Sequence, residues 1–469
     1  MSRRSSDSPE TPSRVRGRRE RTARHRAAIR PVLWRVHFLG GLLAAPLVFA
    51  MAITGILYAW NPQLEYLLHR KALTAVAEGP DRPLSEQVAS ARQTRPELRL
   101  SSVTPAAPDA PRGEATTAVT LVPVAAGSNR FEKPNGAVTV YVDPASAEVT
   151  GSVLEANRPD EWLRNLHSNF RIGKFAEPIS ELAASWLLVS VLTGLVLWWP
   201  RGNRALGRNF RFRIPGRSRW RSLHGLVGVA ASAGLVLFIV TGLTWTTYAG
   251  SWVDLARGQF DSDSPEVSTV LDRTGGPGSE DSALSGADST DTAGTPPGID
   301  RVAAAARESE LTGIVVLEPP KEPGRAWTAE EDDSSWPVEQ SAVAVDGTTG
   351  DVVDRVDWED YPLLAKATSL GIDFHQAELF GLATQLLLTA LAVALLVLIV
   401  AGYRVWLLRR PSGSLGAPPR VGSLLREAPV SVLLGFALLM VLLPVLAITL
   451  LGYLAVERVV RSARRPSTG

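Results

Sequence analysis

The 469-residue chain contains no cysteine. That absence excludes disulfides, iron–sulfur clusters, thiolate zinc sites, a cysteine nucleophile and covalent c-type haem attachment. Histidine is scarce as well: His25, His37, His69, His167, His224 and His375 are all there are. A site built on imidazole ligands must draw on these six. Phosphate-binding glycine loops, H-E-x-x-H and G-x-S-x-G are missing, which removes the familiar nucleotide, metalloprotease and serine-hydrolase chemistries. A pyridine-nucleotide reductant therefore has no recognisable binding segment. Charge of one sign is not in excess, since the net charge is +2, and nothing points to nucleic acid.

Apolar residues are plentiful, at 45% of the chain, and they are segregated. Five runs reach the roughly 20 residues a helix needs to cross a bilayer: Phe38–Trp60, Ile179–Trp199, Leu223–Tyr248, Leu379–Val405 and Val430–Val456. The chain reads as a polytopic α-helical membrane protein with spans over 34–60, 179–199, 223–248, 379–405 and 430–456. Ten arginines in the first 30 residues, with no small-residue cleavage site, make 1–33 a disordered basic cytoplasmic tail before an uncleaved first span. Residues Arg201–Ser222 hold eight arginines and no acid. Cytoplasmic loops collect such charge, so 200–222 and 406–429 are placed inside. The outer segments are then 61–178 and 249–378. Within the second, 249–298 is an acidic linker, Ser-, Gly- and Pro-rich and read as disordered. Five spans would leave the tail 457–469 outside although it carries four arginines. A true fifth span is the reading taken, with re-entry at Pro444 as the alternative.

The sequence also repeats itself. Trp34-Arg35-Val36-His37 opens the first span and Trp220-Arg221-Ser222-Leu223-His224 the third; Thr54-Gly55 and Thr241-Gly242 follow the two histidines at equal offsets. His167 is followed by Gly173, Gly194 and Trp198, and His375 by Gly381, Gly402 and Trp406, again at equal offsets. Outside, Val142–Val149 parallels Val345–Val352, each a hairpin turn between β-formers. Leu84–Arg92 and Ile299–Arg307 have helical spacing, and strand-like runs follow at Leu98–Val103 and Gly313–Leu317. The fold class expected is a duplicated two-helix membrane repeat plus a fifth span, with two small extracytoplasmic α+β domains over 61–178 and 299–378. Both repeats enter the membrane in the same direction, so equivalent residues lie at equal depth.

Four of the six histidines thereby form two pairs: His37 with His224 near the inner face, and His167 with His375 near the outer. Two neutral imidazoles facing one another can hold one haem iron, each through one nitrogen, while a carbonyl or hydroxyl holds the other N–H. Gly40, Gly41, Gly225 and Gly228 are placed to admit a flat macrocycle beside the inner pair. The competing reading makes these histidines interfacial anchors beside Trp and Arg. His25 and His69 lack repeat partners and read as solvated. Thr54-Gly55 and Thr241-Gly242 read as helix-packing positions.

At the W-R-x(1–2)-H openings, the His…Gly…Gly spacing and the V-D-x-x-(S/T) hairpins, residues 30–410 resemble the PepSY-associated transmembrane family, often called iron-regulated membrane proteins. Some members are inner-membrane reductases that use b-type haem to reduce ferric siderophores. The resemblance implies that His37, His167, His224 and His375 are axial ligands of two b haems. It also implies a bacterial plasma-membrane location, and electrons that pass to an extracytoplasmic ferric siderophore from quinol or a cytoplasmic reductase. The alternative is a non-enzymatic PepSY-domain sensor, or a protease or cell-wall regulator, whose histidines are structural.

Overall fold

The computed structural model describes residues 30–107, 115–124, 135–173, 176–199, 216–271, 298–414, 416 and 430–463. In chain order the helices begin with α1 (Arg30–Leu43), α2 (Ala45–Ala59), α3 (Asn61–Leu73), α4 (Leu84–Gln93) and α5 (Pro159–Asn169). There follow α6 (Glu177–Trp198), α7 (Arg217–Leu243), α8 (Ser251–Gln259) and α9 (Ile299–Glu308). The last are α10 (Leu363–His375), α11 (Leu382–Leu407), α12 (Val430–Leu442) and α13 (Pro444–Ala463). The strands are β1 (Leu98–Thr104), β2 (Thr117–Pro123), β3 (Val138–Val142), β4 (Val149–Leu154), β5 (Val315–Glu318), β6 (Trp327–Glu331), β7 (Ala342–Val345) and β8 (Val352–Val356). The chain divides into a helical unit, made of the residues up to Thr54, His167–Asp254 and those from Thr389, and a second unit of Gly55–Leu166 and Leu255–Leu388.

In the helical unit, α6, α7 and α11 are each long and apolar enough to cross a membrane. Such a helix satisfies its own backbone, which a bilayer demands. The first run is a fourth candidate but is broken: α1 and α2 meet at 58°. Pro46 accounts for the break, because it has no N–H to give the Leu42 carbonyl. The Tyr403 hydroxyl donates to that carbonyl instead, at 3.1 Å. Helix α1 starts at Arg30 rather than in a span from residue 34, and α7 at Arg217. Part of each segment expected to be a tail or loop is therefore helical.

The fifth run is divided at Leu443 into α12 and α13, and α13 continues to Ala463. Along this run Trp252 Nε1 donates to Val441 O at 3.2 Å, Trp186 Nε1 to Thr449 Oγ1 at 3.1 Å, and Arg35 pairs with Glu457 at 3.1 Å. Arg35 also donates to the Tyr453 hydroxyl. Helix α13 is thus parallel to α6 and brings its C-terminal half beside the start of α1. Glu181 is fully buried and accepts the backbone N–H groups of Tyr248 and Ala249, closing the end of α7 onto α6.

The second unit corrects another expectation. The two outer segments do not make two separate sheets. They make one eight-stranded sheet, ordered β4-β3-β2-β1-β5-β6-β7-β8. At the seam β1 meets β5 through Val103 and Leu317. A single core joins both halves, with Val88 and Ala91 of α4 and Val302 and Ala306 of α9 packed with Val119, Val140, Leu317 and Val343. Four short strands and one ten-residue helix bury too little apolar surface to stand alone, so the halves share a core. Both predicted hairpins form, β3–β4 and β7–β8, each with a register shift at its turn. The predicted helices α4 and α9 and strands β1 and β5 are present; β2 and β6 carry no signal that the sequence reading used.

The acidic linker is corrected in part. Residues 251–259 form α8, Ala326 N donates to Thr269 O at 2.8 Å, and Ser268 N donates to Asp354 at 2.6 Å. The rest of it, 272–297, lies outside the described residues, as do residues 1–29 with His25, and 200–215 of the basic loop.

Candidate functional site

The helical unit brings His37 and His224 together. Each stands seven residues into its helix, counted from Arg30 in α1 and from Arg217 in α7. Their ring centres are 6.0 Å apart and their planes are nearly perpendicular, at 85°. His37 Nδ1 lies 2.9 Å from the Ser190 carbonyl in α6, and His224 Nδ1 lies 2.9 Å from the Leu398 carbonyl in α11. A carbonyl only accepts, so Nδ1 carries the hydrogen in both rings. The lone pair is then on Nε2, the form in which a neutral imidazole ligates a metal.

Two glycines, four residues after those carbonyls, make room for the rings. A methyl group on Gly194 would lie 3.0 Å from His37 Cε1, and one on Gly402 would lie 3.4 Å from His224 Cε1. The sequence reading used both only as markers of the repeat. It assigned the approach of the macrocycle to Gly40, Gly41, Gly225 and Gly228, and all four line the cavity that the two rings share. Gly40 packs against Ser190 and Trp186, Gly225 against Trp198 and Gly228 against Leu398, as close helix contacts. Only Gly41 of the four faces open space.

Both rings line a cavity of about 1720 Å³ within the helical unit. Its walls are mostly apolar, with Trp34, Trp198, Trp199 and Trp406 among them. Among the described residues, Arg30, Arg217, Arg221 and Arg409 also line it and no acidic residue does. Its volume exceeds the roughly 300–1,000 Å³ typical of small-ligand sites. A metal held between two imidazole nitrogens at about 2.0–2.1 Å, with about 1.1 Å more from each nitrogen to its ring centre, sets the centres about 6.2–6.4 Å apart. The observed spacing is close to that, and among the described residues no group of three or more His, Asp or Glu could hold a bare ion. The donor set therefore suits a cofactor that brings its own equatorial ligands.

His167 belongs to the helical unit and lies where α5 ends. Its Nδ1 is 2.9 Å from the Thr54 hydroxyl, which also contacts the Ala50 and Met51 carbonyls at 3.1 Å. The hydroxyl proton goes to a carbonyl, so the oxygen accepts from Nδ1–H, and again Nε2 keeps its lone pair. Burial pushes the His167 imidazole below its ordinary pKa, against a backbone contact at Met51. Thr54 is thus a partner of a histidine, not only the packing position expected of it. His375 ends α10 in the second unit.

His69 is not solvated as expected. Its Nε2 is buried at a kink in α3, on the same helix as Glu65. Glu65 pairs with Arg158 at 2.6 Å, and Arg158 also reaches Glu155 and Asp160. Burial nonetheless pushes the Glu65 carboxyl above its usual range, and burial carries the Tyr141 phenol nearby up to about 12. Sequence reasoning missed this cluster because its members come from α3, β3 and the start of α5.

Residues 34–409 match the family model described as the PepSY-associated TM region. No curated protein matches the chain.

Proposed function

The chain belongs to the PepSY-associated transmembrane family, and on that premise we propose that it is a plasma-membrane di-haem b protein. It passes electrons across a bacterial inner membrane to an extracytoplasmic ferric siderophore or related iron chelate. The observation that carries this reading is the inner histidine pair: two rings 6.0 Å apart, both fixed in the Nδ1–H form, beside a large cavity. When bound there, haem would supply one-electron carriage without opening a coordination site. The chain itself does the rest. Ser190 and Leu398 orient the rings, Gly194 and Gly402 admit them, and the apolar walls limit water. For His167 and His375, the role of ligands to a second haem rests on the sequence repeat, with Thr54 orienting His167. Quinol or a cytoplasmic reductase is the donor.

The duplicated repeat sets the topology proposed: N-terminus and basic loops inside, the eight-stranded sheet outside. The ion pair of Arg35 with Glu457 supports an inner placement for the end of α13, the side that positive charge prefers, and so an even number of membrane crossings.

The test is colour. Protein purified from haem-replete cells should show a reduced b-type spectrum. His37→Ala and His224→Ala should each remove the same low-spin signal, and the double variant should resemble either single one, because a ligand pair acts as a unit. A colourless wild-type protein sinks the electron-transfer reading and leaves the sensor reading in its place.

A further inference from the structure

We propose that Arg217 and Arg221 bind the carboxylates of the ligand held between His37 and His224, which in the reading above are the two haem propionates; the inference rests on that reading. On α7, Arg217, Arg221, His224 and Gly228 follow one another at helical spacing, so they share a face. All four line the same cavity. Arg221 stands one turn from the histidine and Arg217 two, toward the mouth.

The charge balance of that cavity is the argument. Among the described residues, four arginines line it and no acid does. Two of the four are engaged by the protein. Arg30 donates to Leu197 O at 2.8 Å, and Arg409 donates to Gly416 O at 2.5 Å while lying over the Trp34 ring at 4.7 Å. Among the described residues, Arg217 and Arg221 make no hydrogen bond or ion pair. Arg217 and Arg221 are solvent-exposed at the rim, and the positive charge they gather beside apolar walls attracts the oxyanions of a ligand that enters there. Guanidinium matches carboxylate in two parallel hydrogen bonds, which a lysine point charge does not reproduce. The same chemistry would serve lipid phosphates, but the two arginines stand on the face that carries His224 and line the cavity with it. That favours the carboxylates of the ligand the histidines hold.

The test is reconstitution of the detergent-purified, haem-stripped protein with haem and, separately, with haem dimethyl ester, followed by the low-spin absorbance. Both compounds can be ligated by two imidazoles; only the free acid carries propionate charge. Wild-type protein should bind the acid at least tenfold more tightly than the ester. The double variant Arg217→Gln/Arg221→Gln should lose that preference yet still give the low-spin spectrum, and Arg217→Lys/Arg221→Lys should retain part of it. If wild type shows no preference, or the Gln variant keeps it, the proposal is overturned. A fall in co-purified anionic phospholipid in the Gln variant, with acid and ester still bound as in wild type, overturns it too and assigns the arginines to headgroups. If wild type gives a low-spin spectrum with neither compound, the haem reading itself fails, and this inference with it.

Discussion

Gly194 has no side chain, and the His37 ring occupies the space a methyl group would need. Replacement of glycine by alanine inside a helix ordinarily stabilises it by about 0.5–1 kcal/mol. A loss of function in Gly194→Ala would therefore arise from the ring, not the helix. The variant should displace the imidazole from the Ser190 carbonyl and lower haem retention. Gly402→Ala, with 3.4 Å to its histidine, should do so less. Haem content per protein, measured in both variants, checks the order. Asp143 is a second residue with a readable consequence. Burial works against its carboxylate, but backbone N–H groups of Val76, Ala77, Ala145 and Ser146 outweigh it, and its pKa lies below the ordinary range. Its contribution is fully present above the unfolded value of about 3.9 and is lost as pH falls through the lower folded value. Asp143→Asn should cost about 1–3 kcal/mol at neutral pH, and the cost should shrink in acid. Thermal unfolding of both proteins at pH 7 and below pH 4 measures this; a cost independent of pH would assign the loss to something other than the charge.

At the scale of an element, the bend between α1 and α2 links a proline to the site. Pro46 frees the Leu42 carbonyl, and Tyr403, the neighbour of Gly402 on α11, donates to it. The group that repairs α1 is thus one residue from the group that admits His224. Tyr403→Phe leaves a carbonyl without a partner in an apolar setting and should cost about 1–3 kcal/mol. Because the bond ties α11 to the helix that carries His37, the inner haem signal should broaden or fall as well. Unfolding and the absorbance spectrum of this variant are read together. An unchanged spectrum at full stability would mean that the bend holds without its tyrosine.

At the scale of the whole molecule, topology is the quantity to measure. The chain has no native cysteine, so single introduced cysteines report without background. Asp351→Cys, in the exposed turn between β7 and β8, should react with an impermeant thiol reagent on intact cells. Ser218→Cys and Arg458→Cys should react only after the membrane is opened. Reaction of Arg458→Cys on intact cells would overturn the inner placement of the tail. Reaction of Ser218→Cys alone would invert the whole arrangement.

Much of the protein is legible in the chain because the signals are local. A run of apolar residues and a turn between β-formers each act within one segment, and the apolar helices α6, α7 and α11 and both hairpins that they predict are present. The pairing of His37 with His224, read from equal offsets along the sequence, matches the closeness of their rings. Tertiary structure alone decides the rest. It decides that two half-sheets share one core, because neither buries enough by itself. It decides that Gly194 and Gly402 face the imidazole rings, because that depends on the neighbouring helix and not on sequence spacing. It decides the direction of α13, since the partners of Glu457 and Thr449 lie more than 250 residues away. It also gathers Glu65, His69 and Arg158 from segments with no common pattern. Those outcomes depend on contacts between distant parts of the chain, and no local period carries them.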